Sequence, residues 1–243
     1  MSQLVRALFI SRKDIRSYYG KPPLVTWGLL FPAVLMLAIY VKDPASYLKT
    51  APGIIAMTLL FGNTSMSAIV LTFEKRSGTL QRLLLAPVSK GTIIMGKAAS
   101  AAAYGIATAL VLTFGLTFLL GMHLANPALF CVGLILGACS FSLLGLTCAA
   151  MVKEVFEAMT LMNFFRFPIL FVSGVFTPIE ALPVWLKPLA LASPLTYVVE
   201  LLRFGINGKS YFSSPWTPII VAIGLCAVSL KAAVVSFRRD SGR

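Results

Sequence analysis

Charge is what this sequence has least of. Charged residues make up 12% of the 243 residues, where a globular domain carries about 25%. Acidic residues are the scarcest, with eight Asp and Glu in all. The three aspartates are Asp14, Asp43 and Asp240, too scattered for the clustered carboxylates of a lipid phosphotransferase. The single histidine is His123. One histidine and four cysteines without ligand spacing exclude a zinc or haem centre. Cys131, Cys139, Cys148 and Cys226 all fall inside apolar blocks and read as reduced packing residues. An intramembrane serine protease needs a serine with a histidine at helical depth, and His123 lies at a loop. An ion-driven transporter needs a coupling carboxylate within a span, and no Asp or Glu falls clearly inside one.

What the chain has instead is long apolar blocks, 58% hydrophobic residues overall. Six of them, at roughly 24–41, 52–73, 98–121, 127–152, 158–179 and 216–235, have the 17–25 residues a helix needs to cross a bilayer. Helices are the form that satisfies every backbone polar group in lipid. The expected fold is therefore all-α and polytopic. No cleavable signal peptide is expected, since the first apolar block is long and has no small-residue cleavage site.

The net charge of +13 first suggests a nucleic-acid partner. Its distribution points to topology. Arg6, Arg12, Lys13, Arg16, Lys21, Lys75, Arg76, Arg82, Lys90, Lys97, Lys153, Arg238, Arg239 and Arg243 make 14 on one side, against five (Lys42, Lys49, Lys187, Arg203, Lys209) on the other. The positive-inside rule places both termini in the cytoplasm, and no nucleic acid is needed.

Residues 1–23 form a separate unit before the spans. Leu4, Ala7, Leu8, Ile15, Tyr18 and Tyr19 share one helical arc, opposite Arg6, Lys13 and Arg16. That pattern describes an amphipathic helix lying flat in the headgroup region. The competing reading is a frayed basic tail. At the other end, residues 180–208 are broken by Pro183, Pro188 and Pro194, and their apolar pieces are too short to cross. They read as a re-entrant segment. Its second helix has Ser193 as N-cap, Pro194 at the first position, Gly205 or Gly208 as its end, and a Glu200–Arg203 pair.

GTIIMGKA, Gly91 to Ala98, has the spacing of a phosphate-binding loop. Ala98 replaces the Ser or Thr that holds magnesium, no strand leads in, and a span follows. The chain is thus expected to bind no nucleotide itself. FEKRSGTLQRLLLAPVSKG, Phe73 to Gly91, is more informative. Ser77-Gly78 signals a turn and Pro87 a stop. Leu80, Leu83 and Leu84 lie on one face of the short helix between, about 78–87. Such a leucine face, placed on the cytoplasmic side, fits a groove on another protein or rests on lipid.

The residues Glu74–Ser89 (E-K-R-x-G-T-L-x-R-L-L-x-x-P-V-S), Pro194–Arg203 (P-L-x-Y-x5-R, with Tyr197) and Ser173–Pro183 resemble the membrane permease of an ABC-2 type ATP-binding-cassette exporter in its half-size form. The resemblance covers nearly the whole chain. It implies a six-helix transmembrane domain over 24–243 in the cell membrane, with a coupling helix that docks on a separate ATPase. Leu80, Leu83 and Leu84 would be the key, Arg82 a polar anchor, Glu74 to Thr79 a rigid link, and Pro87 the stop. It also implies two ATPase copies, which hold the ATP and magnesium, and a dimer of identical or related permease chains. The implied cargo is amphipathic: drugs, glycolipids or polysaccharides.

Two intramembrane polar features complete the reading. Arg166 is the one charge well inside a span, roughly 13 Å from Glu157 at 1.5 Å per residue. It costs roughly 2.5–3.5 kcal/mol at a helix centre, so it either faces a pathway or snorkels to the interface. Asn63 and Ser67 share a face of the second span and either line that pathway or join helices. Gly133-x3-Gly137 reads as close helix packing.

Overall fold

The computed structural model describes residues 3–18, 26–44 and 46–240. Among them there is no strand. Ten α-helices occur in chain order: α1 (Gln3–Tyr18), α2 (Phe31–Lys42), α3 (Tyr47–Arg76), α4 (Thr79–Leu85), α5 (Lys90–Leu120), α6 (Pro127–Ala150), α7 (Val155–Val172), α8 (Lys187–Ala192), α9 (Pro194–Asn207) and α10 (Trp216–Asp240). A π-helical turn, Thr26–Leu30, leads into α2, and a 3₁₀ turn, Ile179–Ala181, precedes α8.

Five helices are long and apolar enough to cross a membrane: α3, α5, α6, α7 and α10. The first expected span is shorter, an apolar helix over Gly28–Lys42. Residues 24–25 of that span, Tyr19 and the C-terminal Arg243 lie outside the described residues. The described residues are thus all-helical in their regular structure, with five helices of spanning length and one shorter apolar helix, as an integral membrane protein has.

α3 is the axis of the bundle. It packs against α2, α5, α6, α7 and α9, and 94% of its most apolar window is buried. Its sequence explains how a helix with so many hydroxyls can sit there. Thr58, Thr64, Ser67 and Thr72 each return a hydrogen bond to the carbonyl four residues back, so none is left unpaired in an apolar interior. α7 and α10 lie outside and show Phe156, Phe164, Phe171, Ile220 and Val228 on the surface. In water such a surface would aggregate; against acyl chains it has no such cost.

Gly133 and Gly137 bring α6 against α9. A Cβ on Gly137 would sit 2.8 Å from Val198 Cγ1, and one on Gly133 3.1 Å from Leu201 Cβ. The small-residue pair is therefore a helix seam, as its spacing indicates. α9 starts as its sequence suggests: Ser193 Oγ accepts from Leu195 N at 3.2 Å, and Pro194 takes the first turn. It ends at Gly208, left-handed at φ 67°, while Gly205 stays inside the helix against Phe130.

Candidate functional site

The segment after α3 folds as its punctuation dictates. α3 runs through Lys75 and Arg76, Gly78 adopts φ 70°, which suits glycine, and α4 covers Thr79–Leu85 before Ala86 and Pro87 turn extended. The turn is fixed to its surroundings by charges. Lys75 Nζ donates to the carbonyls of Ala149 (2.8 Å), Val152 (3.1 Å) and Ala150 (3.3 Å), closing the C-terminal end of α6, where cations are favoured. Arg76 pairs with Glu154 at 3.3 Å, the residue that caps α7 in a reciprocal box with Glu157.

The leucines of α4 divide between two directions. Leu80 is 4% exposed and joins Leu71, Ile93, Ile94 and Leu146 in one apolar core cluster. Leu83 and Leu84 are partly buried against that cluster. Leu85 is 88% exposed. Thr79, Arg82 and Pro87 are also exposed. The leucine face thus fastens α4 to its own chain through Leu80 and leaves Leu85, with the edges of Leu83 and Leu84, at the surface.

Behind α4 lies a feature that the sequence did not announce. Glu74 is fully buried and is paired by both Lys13, from α1, and Lys97, from α5. Lys97 Nζ also lies 3.4 Å from Asp14 Oδ2, and Lys13 Nζ lies 2.9 Å from Asp14 Oδ1. Two acids and two bases from three helices therefore close a neutral cluster, with Glu74, Asp14 and Lys97 all out of water. Burial pushes the Asp14 carboxyl above its ordinary value despite the opposing pull of Lys97, and Glu74 nearby adds to the rise. Burial works against the Lys13 ammonium, but its hydrogen bonds to Glu74 and Asp14 outweigh that and raise its pKa. Glu74, expected in the docking segment, is turned inward.

α1 reaches this cluster because α5 lets it approach. A Cβ on Gly96 would meet Ala7 O at 2.8 Å and Ile10 Cβ at 3.0 Å. The face of α1 that packs inward is Ile10, Ser11, Asp14 and Tyr18. Of the described side chains of the expected apolar arc, Ala7 and Tyr18 turn toward the protein, and Leu8 and Ile15 are exposed. Arg6 Nη1 donates to Pro87 O, and Thr92 Oγ1 donates to Gln3 Oε1 at 2.9 Å. The start of α1 is thereby tied to the end of the α4 segment.

Arg166 is 3% exposed and does not snorkel. Its Nε donates to Thr64 Oγ1 at 2.8 Å, Nη2 to Ser65 Oγ at 2.9 Å and Nη1 to Asn163 Oδ1 at 3.2 Å. Its guanidinium carbon lies 5.1 Å from the centre of the Phe61 ring. Among the described residues no carboxylate pairs with it. Asn63 and Ser67 lie elsewhere on α3, buried against α6: Asn63 Oδ1 accepts from Ser142 Oγ at 3.3 Å, and Ser67 donates to Asn63 O at 2.8 Å. The structure thus brings Arg166 to Thr64 and Ser65, one step round the helix from the expected pair.

The segment before α10 is locked as a second polar centre. Glu200 is fully buried and pairs with Arg203. It also accepts from Ser210 Oγ at 2.6 Å and Tyr211 N at 2.7 Å. Arg203 Nη2 reaches Gly174 O at 3.0 Å, so α9 is joined to the turn after α7. Tyr197 donates to Leu191 O at 2.6 Å and stacks on Phe212.

Comparison with known proteins adds the family. The model of the ABC-2 type transporter matches residues 5–207. The ycf38 transport permease of Cyanophora paradoxa is 29% identical over 224 residues, covering 87% of this chain and 75% of the relative. The Escherichia coli K12 protein described as "Probable multidrug ABC transporter permease YbhR" is 25% identical over 196 residues, 77% of this chain. This chain spans about half of YbhR, 51% of its length. The inner membrane transport permease YadH of the same strain is 24% identical over 218 residues, covering 87% of this chain and 82% of YadH.

Proposed function

The chain belongs to the ABC-2 type transporter family of membrane transport permeases, and from that premise we propose that α4 is the element through which a separate ATPase drives it. The observation that carries this reading is the mounting of α4. It leaves Leu85 exposed while Leu80, Lys75 and the Glu74 cluster fix its base to α1, α3, α5 and α6. A push on α4 is then delivered to several helices at once. Thr79, Arg82, Leu83, Leu84 and Pro87 form the remainder of the docking surface, and Glu74 serves as its internal anchor.

The proposed action is export of an amphipathic or lipid-like substrate, with ATP and magnesium bound by the partner. A drug-like cargo is supported by the description of YbhR. The permease would act as a dimer, above two ATPase copies, with both termini in the cytoplasm and with the short α2 as a sixth crossing. α8 and α9 would form the re-entrant segment, a reading supported by the packing of α9 against α6 and α3. Arg166 is proposed to meet an anionic group of the substrate when α7 and α3 part. Asn63 and Ser67, sealed between α3 and α6, would then hold the path's wall together.

Detergent pull-down tests the docking. Wild type is expected to bring down an ATPase, Leu85→Asp to lose it while remaining membrane-inserted, and Leu80→Asp to lose the folded protein itself. An ATPase retained undiminished by Leu85→Asp and by Leu83→Asp plus Leu84→Asp would remove α4 from the contact.

A further inference from the structure

The outward face of α1 is exposed among the described residues. It carries Leu8 and Phe9, 67% and 56% exposed, and beside Phe9 stand Arg12, Lys13 and Arg16. These three cations, with Phe9 and Ser17, line an open cleft of about 430 Å³. Lys13 is engaged from behind by Glu74 and Asp14. Arg12 and Arg16 have no carboxylate partner among the described residues. The only acid on α1, Asp14, is fully buried on the opposite face. The cleft is thus a cationic concavity on a helix that also exposes Val5, Leu8 and Ile15.

We propose that this cleft is a binding site for the phosphate of an anionic phospholipid headgroup, on the cytoplasmic leaflet. Apolar and cationic residues interleaved on one exposed face suit the headgroup boundary. Phe9 and Leu8 enter the acyl edge, and the two guanidiniums clamp phosphate oxygens. A protein partner would leave the acyl edge unexplained. Lys13 gives the site its consequence. The same ammonium that lines the cleft holds Glu74 at the base of α4, so a bound headgroup sits one side chain from the proposed coupling element. The assignment rests on the reading that α1 lies at the cytoplasmic membrane surface.

The test uses the full-length chain, purified in mild detergent and offered phosphatidylglycerol and phosphatidylcholine in equal amounts, with retained lipid counted by native mass spectrometry. Wild type is expected to prefer phosphatidylglycerol, and Arg12→Gln plus Arg16→Gln to weaken that preference by on the order of tenfold. Lys42→Gln plus Lys49→Gln removes the same charge elsewhere and is expected to leave it intact. Equal retention of both lipids by wild type overturns the site, as does a preference unchanged in the arginine variant or lost equally in the lysine variant. Two further arms separate the sources. If inorganic phosphate raises the thermal midpoint as far as phosphatidylglycerol does, the ligand is free phosphate and the lipid assignment falls; no rise supports it. If the arginine variant sheds the ATPase in phosphatidylcholine nanodiscs, a protein covers this face and the proposal fails; retention supports it. The lipid count involves no ATPase, so its failure is distinct from failure of α4 docking.

Discussion

Glu74 and Arg166 are both buried charges, and the structure gives them opposite fates. Glu74 is answered by two lysines, so removing it leaves the buried cluster with two cations against Asp14 alone, and Lys97 with one partner at 3.4 Å. Glu74→Ala is expected to cost about 3–5 kcal/mol, read as a lower thermal midpoint in detergent. Adding Lys97→Met is expected to cost little more, because it removes the excess positive charge and leaves Lys13 paired with Asp14 at 2.9 Å. Arg166 is answered only by neutral groups. Arg166→Met is expected to leave the midpoint unchanged or raised, since Thr64 keeps its bond to Leu60 O, while transport-linked ATP turnover with the partner falls. A fall in midpoint instead would make Arg166 a structural residue. That Arg166 lies within a helix of spanning length was legible from its position inside an apolar block. Its partners were not, because a helical wheel groups Asn63 with Ser67 but does not say which neighbour faces which arc. The Glu74 cluster was illegible for a simpler reason: residues 13, 14, 74 and 97 are joined only when three helices meet.

The elements were read more fully than their faces. α4 stands within the expected 78–87, and the Ser193–Gly208 helix has the cap, the proline and the left-handed glycine its sequence indicates. The inward face of α1 was not legible, because Ser11 and Asp14 look polar until Lys97 is placed beside Asp14. α2 came out shorter than a full crossing. The Glu200 centre follows from the i,i+3 pairing with Arg203, but its grip on Ser210 and Tyr211 comes from the loop's return. Glu200→Ala is expected to destabilise by about 3 kcal/mol, since it leaves Arg203 largely buried beside a single carbonyl. Glu200→Gln keeps an acceptor for the loop and should cost roughly 1 kcal/mol. Thermal midpoints of the two variants check the order; equal effects would mean that the ion pair contributes nothing beyond the loop contacts.

At the scale of the molecule, apolar blocks and the placement of Lys and Arg were enough to indicate a membrane bundle, because lipid permits few other folds. They could not indicate which span lies at the centre. α3 takes that place through its small and self-bonded residues, and the element that follows it is therefore attached to the axis of the bundle. A device driven from outside is best pushed there, at α4. This is tested most directly by placing a photo-crosslinking amino acid at Leu85 or at Phe118, which is 78% exposed at the opposite end of α5, and irradiating native membranes. The account predicts an adduct with an ATP-binding subunit from position 85 and none from position 118. Adducts from position 118 alone, or none from 85 in membranes that contain the ATPase, would contradict it.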